Sequence, residues 1–290
     1  MTTGIIGLGL MGMALAERLL DAGQRVVGLD VDPARGAVLA AKGGAIADDL
    51  DMVTRSCATV LVAVYDAGQT EQVLLGHGGI ADARRSIDII CITTCPPDQM
   101  ADFAARLTAA GHGLVEFPIS GTSAQLRRGE AIGLVAGDAT ARKRTAPLLA
   151  LLCPERLEFG PAGDAARTKL AINLVLQLNR AALAEGLAYA TALGLDAGAF
   201  LAALQRSAAA SQVMAGKGPK MIARDYAPES HLAQTLKDAE MILQTALVAG
   251  QALPLMLVQR ALLRDAITTV GEAADSAAII EAIRPCQGMP

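Results

Sequence analysis

The stretch GIIGLGLMGMALAERLLDAGQRVVGLD, residues 4–30, decides the fold. A short apolar run, 4–7, enters a glycine-rich turn and passes into a helix-forming segment, 14–22. A second apolar run, 25–30, follows and ends on an acid, Asp30. Between strand and helix, Gly7-Leu8-Gly9-Leu10-Met11-Gly12 reads G-x-G-x-x-G. Glycines there permit a tight turn, close approach of backbone to a pyrophosphate, and close packing of helix on strand, with the phosphates at a helix N-terminus. Such a turn alone is weak evidence, because glycine-rich turns are common. Here a second strand follows and an acid stands about 20 residues on, which is the context dinucleotide binding requires. The competing reading is a structural turn with a solvated Asp30. A carboxylate at Asp30 accepts hydrogen bonds from both adenosine ribose hydroxyls and repels a 2′-phosphate. Val31 leaves no arginine immediately beyond the strand, whereas Arg35 lies farther along. NAD is the expected cofactor, with NADP open through Arg35.

The alternation continues. Strands are predicted at 59–64, 87–92, 114–117, 132–136 and 157–159, and helices at 69–75, 97–110 and 139–152. This is the pattern of a doubly wound, mainly parallel sheet. Ligands in such sheets collect beyond the carboxyl ends of the strands. Three strand ends stand out: Val64-Tyr65-Asp66, Thr93-Thr94 and Pro118-Ile119-Ser120-Gly121-Thr122. Val64, Thr93 and Thr94 are expected beside the cofactor. Each of these ends also reads as ordinary turn chemistry.

Gly160-Pro161-Ala162-Gly163 then punctuates the chain, and DAARTKLAINLVLQLNRAALAEGLAYATAL follows at 164–193. This segment has no proline and a single glycine, Gly186. It predicts one helix of roughly 45 Å, apolar on nearly every side and so buried on most of them. One stripe differs: Lys169, Asn173, Gln177 and Arg180 project within about 80° of one another. The stripe requires polar partners or a solvated groove. Beyond it the segments 197–210, 231–249, 254–271 and 274–284 read as helical, with no convincing strand. The expected domains are 1–162, an α/β domain, and 163–290, an all-helical one. Lys237-Asp238 stands out in the helical part, although on local sequence it reads as a surface pair.

Composition narrows the function classes. The net charge of −4 comes with no basic patch, so nucleic acid is not an expected partner. The cysteines (Cys57, Cys91, Cys95, Cys153, Cys286) are odd in number and lack zinc spacing. A reduced, cytoplasmic protein without a disulfide framework or a metal site is expected. The N-terminus enters GIIGLG without a basic n-region, so secretion is not expected. No segment reaches the ~18 uninterrupted apolar residues of a membrane span. Residues 242–263 come nearest and are interrupted by Gln244, Gln251, Pro254 and Gln259. Alanine-rich helices suggest subunit surfaces, hence a homodimer or homotetramer.

Four pieces in order resemble the β-hydroxyacid dehydrogenase family, whose members include 3-hydroxyisobutyrate dehydrogenase, tartronate semialdehyde reductase and threonate dehydrogenase. Gly7 to Gly12, with its Met11-Gly12, resembles the cofactor loop. Phe117-Pro118-Ile119-Ser120-Gly121-Thr122, with Gly129 downstream, resembles the substrate-binding motif, usually written Ser-Gly-Gly. Lys169 and Asn173, shortly after Gly163, resemble the catalytic motif. Lys237-Asp238 matches a Lys-Asp pair that the family places beside nicotinamide and substrate, so the resemblance overrides the surface reading of Lys237. Two positions depart from the pattern. Thr122 replaces the second glycine of Ser-Gly-Gly, and Ile172 replaces the first asparagine of a frequent Asn-Asn pair.

The resemblance implies a Rossmann-type N-terminal domain, an all-α C-terminal domain and a long helix joining them. It also implies reversible hydride transfer between nicotinamide and a small 3-hydroxy acid or its semialdehyde or keto form. None of the histidines (His77, His112, His231) falls in a motif, so Lys169 takes the acid–base role. An ordinary lysine titrates near pH ~10.4, and a buried, positively charged setting lowers that value. Asn173 orients the hydroxyl or the lysine. Ser120, Gly121 and Thr122 hold the substrate carboxylate, and Lys237 adds positive charge for substrate and cofactor. The alternatives are an imine reductase-like enzyme, against which Lys169 and Asp30 both argue, and a non-catalytic NAD-binding module, against which Lys169 argues.

Overall fold

The computed structural model describes residues 2–284. The first part alternates strands and helices: β1 (Thr2–Ile6), α1 (Leu10–Asp21), β2 (Arg25–Leu29), α2 (Pro33–Ala41), β3 (Ala45–Ile46), α3 (Leu50–Ser56), β4 (Thr59–Val62), α4 (Ala67–Leu75), β5 (Asp88–Cys91) and α5 (Pro97–Ala109). It continues through β6 (Gly113–Glu116), β7 (Ile119–Ser120), α6 (Ser123–Arg128), β8 (Ile132–Gly137), α7 (Ala139–Leu152) and β9 (Glu155–Glu158). Helices follow: α8 (Asp164–Ala192), α9 (Ala197–Gln205), α10 (Gln212–Ala223), α11 (Leu232–Val248), α12 (Pro254–Val270) and a 3₁₀ turn, Ser276–Ala282. The chain forms two compact units, Met1–Lys169 and Leu170–Pro290, divided within α8.

In the first unit the strand order is β3-β2-β1-β4-β5-β6-β8-β7, with β9 against β8. From β3 to β6 every pairing is parallel, and β8 runs antiparallel to both β6 and β7. Neighbouring residues on a strand point to opposite faces. Ile5, Leu61, Ile90 and Val115 accordingly pack on one side with α1, α6 and α7. Ile6, Val60, Val62, Ile89 and Leu114 pack on the other with α3, α4 and α5. Both faces are therefore buried, which explains why these strands read as continuous apolar runs. The chain passes from β3 back across β1 to β4, so the order reverses between β1 and β4, the switch point at which open α/β sheets bind their ligands.

Helices α2, α3, α6 and α10 were not expected from the sequence. The first two start on Asp32 and Asp49, whose side chains accept the N–H of Ala34 and Met52. α10 carries Pro219 in its interior and two glycines, which masked it. It is held by tertiary packing: Gly218 lets Leu201 approach to where a Cβ would stand 2.7 Å away. The segment expected as a helix at 274–284 is a 3₁₀ turn, capped by Asp275. The long helix also differs from expectation. Its polar stripe is the buried side, with Lys169, Asn173, Gln177 and Arg180 all at or below 7% exposure, while Val175 and Tyr189 are exposed.

The helical unit packs around Leu183, Leu187, Met221, Met256 and Leu263. Among the described residues no helix is long and apolar enough to cross a membrane. Cys57, Cys91, Cys95 and Cys153 are buried thiols, and Cys286 lies outside the described residues.

Candidate active site

The β1–α1 turn has the geometry a dinucleotide needs. Gly7 sits at φ +89°, and a Cβ there would meet the Ala63 carbonyl oxygen at 2.5 Å. A Cβ on Gly12 would fall 1.9 Å from the Gly7 carbonyl oxygen, so that glycine lets α1 close on the turn. Nothing lies within 4 Å of the place a Gly9 Cβ would occupy, which leaves the approach to the backbone open. α1 has neither a side-chain cap nor an acid in its first turn. Its leading N–H groups, from Leu10 and Met11 onward, thus present an uncompensated positive dipole end to an anion. The cofactor loop fits a pyrophosphate.

Asp30 stands just past β2 with its side chain only 3% exposed. Its Oδ2 accepts the Leu8 N–H at 2.6 Å and its Oδ1 the Asp32 N–H at 2.9 Å. The carboxylate therefore braces the glycine turn against the β2–α2 turn, a role not apparent from spacing alone. Arg35 lies over it, with Nη1 3.4 Å from Asp30 and Nε 3.5 Å from Asp32. Beyond β4 and β5, the Thr93 hydroxyl donates to the Val64 carbonyl at 3.0 Å and ties these two strand ends together, with Thr94 next along.

The proposed substrate turn is built by three local devices. Ser120 belongs to β7 and pairs with Ile132 of β8. Gly121 sits at φ +148° with a Cβ position 2.9 Å from the Ala131 methyl, so a side chain is excluded there. Thr122 is the N-cap of α6 in a reciprocal capping box: its hydroxyl accepts the Gln125 N–H at 3.2 Å and its own N–H donates to Gln125 Oε1 at 2.8 Å. The Thr122 N–H is thus engaged in starting a helix, while its hydroxyl, an acceptor there, keeps an O–H to donate.

Glu116, the last residue of β6, was not singled out in the sequence. It is 1% exposed. Its two carboxylate oxygens accept the N–H groups of Gly163 and Ala166, each at 2.8 Å, at the start of α8. Burial pushes its carboxyl above the usual value, and those N–H groups only partly offset this. The one signal in the sequence is an acid inside the apolar run that leads into the Ser120 turn. Lys169 follows Ala166 by three residues on the same helix and is buried.

In the helical unit, Asn173 donates through Nδ2 to Asp238 Oδ2 at 3.0 Å. A carboxylate only accepts, so the amide group must point its NH₂ there and is left presenting Oδ1. Lys237 Nζ lies 3.7 Å from Asp238 Oδ1. The next stripe residue, Gln177, donates to the Thr235 carbonyl at 3.2 Å. Among the described residues Arg180 has no hydrogen-bond partner for Nε or Nη1, and burial pulls its guanidinium down to about 10 despite the nearby carboxylates of Asp275 and Asp238. Lys217 and Asp275 form a buried pair at 2.7 Å. Among the described residues no cluster of His, Cys, Asp and Glu is arranged to hold a metal.

Residues 2–157 match the NAD-binding domain of 6-phosphogluconate dehydrogenase, and residues 163–283 match the NAD-binding family of NADP-dependent 3-hydroxyisobutyrate dehydrogenase. Over 96% of the chain and 94% of the relative, the sequence is 30% identical to L-threonate dehydrogenase of Cupriavidus necator. It is 28% identical to 2-hydroxy-3-oxopropionate reductase of Escherichia coli, covering 98% of the chain and 97% of the relative. A 3-hydroxyisobutyrate dehydrogenase from Salmonella typhimurium superposes with a TM-score of 0.88 at 25% identity, covering 97% of the chain and 99% of that structure.

Proposed function

Because the chain belongs to the β-hydroxyacid dehydrogenase family and is an NAD(P)-dependent hydroxy-acid dehydrogenase, we propose that its substrate is a small 3-hydroxy acid, or the corresponding semialdehyde or keto acid, and that Lys169 is its general acid–base. The observation carrying this reading is a buried lysine one helical turn before an asparagine whose amide orientation is fixed by Asp238. When bound, the nicotinamide accepts or supplies the hydride. The β1–α1 turn holds its pyrophosphate and Asp30 its adenosine ribose, while Val64, Thr93, Thr94 and Lys237 complete the cofactor contacts.

Ser120 and the Gly121 N–H hold the substrate carboxylate, with Thr122 fixing the turn that carries them. Lys169 Nζ removes the hydroxyl proton during oxidation and returns it during reduction. Asn173 Oδ1 accepts a hydrogen bond from the substrate hydroxyl or the lysine and so orders the two. The Lys237 ammonium adds positive charge for substrate and cofactor. The test is turnover on a panel of small acids, including 3-hydroxyisobutyrate and L-threonate, followed by the absorbance of reduced nicotinamide. At least one 3-hydroxy acid should turn over; cofactor binding with no turnover on any of them would contradict the reading.

The same panel tests cofactor choice. Arg35 is engaged by two carboxylates, and a 2′-phosphate would meet Asp30, so NAD is expected to be the better cofactor. A kcat/KM advantage of about tenfold corresponds to only ~1.4 kcal/mol of repulsion. Equal or better use of NADP would show that Arg35 leaves Asp30 to bind the phosphate.

Assembly is the third part of the proposal. Tyr189, Leu193, Leu195, Leu247, Val248 and Leu255 are all more than half exposed, and all lie in the helical unit. Apolar surface of that extent favours self-association through the helical units into a homodimer or homotetramer. Light scattering should give at least twice the 29.7 kDa of one chain; a monomer at micromolar concentration would contradict this.

A further inference from the structure

The start of α8 lacks a local cap. Gly163 precedes the helix at φ +100° and has no side chain to offer, and a Cβ there would sit 2.8 Å from the Pro97 carbonyl oxygen. Asp164, the next side chain, turns outward to Arg167 at 2.7 Å. The leading N–H groups of a 29-residue helix are instead met by Glu116, which lies 47 and 50 residues away in sequence from the two donors. A serine or threonine at the cap position would satisfy such donors for a contribution of about 1 kcal/mol, with no buried charge. A buried carboxylate is a costly substitute. Stability of the helix end alone does not account for it.

Its position in the chain does. Glu116 closes β6, and the next residues are Phe117 and Pro118, which lead into the Ser120 turn. The strand end is itself fixed, because the Phe117 N–H donates to the Cys91 carbonyl at 2.8 Å. The carboxylate thus joins the strand end that carries the substrate turn to the helix end that carries Lys169. Both lie in the first unit. From Ala166 to Lys169 the helix rises only about 4.5 Å, so a shift or rotation of the first turn moves the lysine almost as far.

We propose that Glu116 is a positioning residue: its carboxylate sets the height and rotation of the first turn of α8 relative to the Ser120 turn, and through them the reach of Lys169 to the substrate hydroxyl. This rests on the acid–base reading of Lys169. Proton transfer requires the lysine within about 2.6–3.2 Å of the hydroxyl oxygen, and a misplacement of about 1 Å costs on the order of 10²-fold in rate.

The experiment is a double-mutant cycle on the full-length protein, read by single-turnover hydride transfer, with cofactor Kd and Tm measured alongside. Glu116→Gln presents an NH₂ group to one of the two N–H donors, and is expected to slow hydride transfer by about 10- to 10²-fold with cofactor Kd unchanged. Glu116→Asp keeps the charge, shortens the arm by one methylene, and serves if the glutamine variant does not fold. It too should lower the rate without altering Kd. In the Lys169→Ala background either substitution should have no further effect, because the group being positioned is gone. A folded Glu116 variant with lowered Tm and a wild-type rate would overturn the proposal and leave a structural role only. Rate losses that multiply with Lys169→Ala would overturn it while leaving the lysine's role intact. A near wild-type rate for Lys169→Ala alone would overturn the acid–base reading, and this proposal with it, before Glu116 is touched.

Discussion

Lys169→Ala should lower kcat by about 10²–10⁴-fold, the usual loss on removing a general acid–base, with a smaller effect on KM. Cofactor affinity should hardly change, because the elements fitted to pyrophosphate and ribose are the β1–α1 turn and Asp30, and Lys169 builds neither. Lys169→Arg should not restore activity, since a guanidinium stays protonated and cannot take the hydroxyl proton. Ser120→Ala should behave differently, raising KM at least as much as it lowers kcat, as expected for a group that holds the substrate in ground and transition state alike. A Lys169→Ala enzyme turning over at close to the wild-type rate would pass the role to Lys237 or to a bound water.

Asp275→Asn should destabilise the protein by about 3–5 kcal/mol, the effect of breaking a buried ion pair from one side. Asp275 is fully buried, accepts Lys217 Nζ at 2.7 and 2.9 Å, and also accepts the N–H groups of Glu229, Ser230 and Ala277. It thereby joins α10, the segment before α11 and the final 3₁₀ turn. The asparagine keeps some of these bonds but leaves Lys217 without its closest counter-charge. The two partners do not gain equally. Burial pulls Lys217 below its ordinary value despite the pair. Burial pushes Asp275 upward, but the Lys217 charge and hydrogen bonds together with the Ala277 and Glu229 N–H groups outweigh it and hold the carboxyl low.

The sign for pH follows from that lowering. The stability that Asp275 contributes is complete above its unfolded value and is lost as pH falls through its lower folded value. The gap between wild type and Asp275→Asn, measured by urea unfolding, should therefore be constant from neutral pH down to the ordinary aspartate range and then shrink. A variant as stable as wild type at neutral pH would show that the pair contributes nothing net.

The parts of this molecule legible in the sequence are those whose causes are local. The glycine spacing of the first turn, the apolar runs and the Ala- and Leu-rich composition of α8 each act within a few residues, and the sheet and helices formed where they indicated. α10 was hidden because Pro219 and two glycines disfavour a helix locally, and its tertiary contacts, Leu201 against Gly218, Met221 in the core and the Lys217–Asp275 pair, override them. The motif implies a substrate role for Thr122 but says nothing of its capping box with Gln125, three residues on, which starts α6. Glu116 and Asp275, and the bond from Asn173 to Asp238, were illegible for a different reason. Their long-range partners are 45 to 65 residues distant, and nothing local in a sequence states which distant donor a buried acid will meet. Polarity in an apolar run signals only that such a partner must exist.

The central claim is direct hydride exchange between a small 3-hydroxy acid and nicotinamide at this site. The measurement that reaches it is isotopic: wild-type protein, NAD and a 3-hydroxy acid carrying deuterium on its carbinol carbon, with the recovered cofactor analysed by mass and NMR. Deuterium on one face of nicotinamide C4, in step with acid consumed, is the predicted result. Reduced cofactor carrying only solvent hydrogen, or no reduction with any small 3-hydroxy acid although NAD binds, would contradict it.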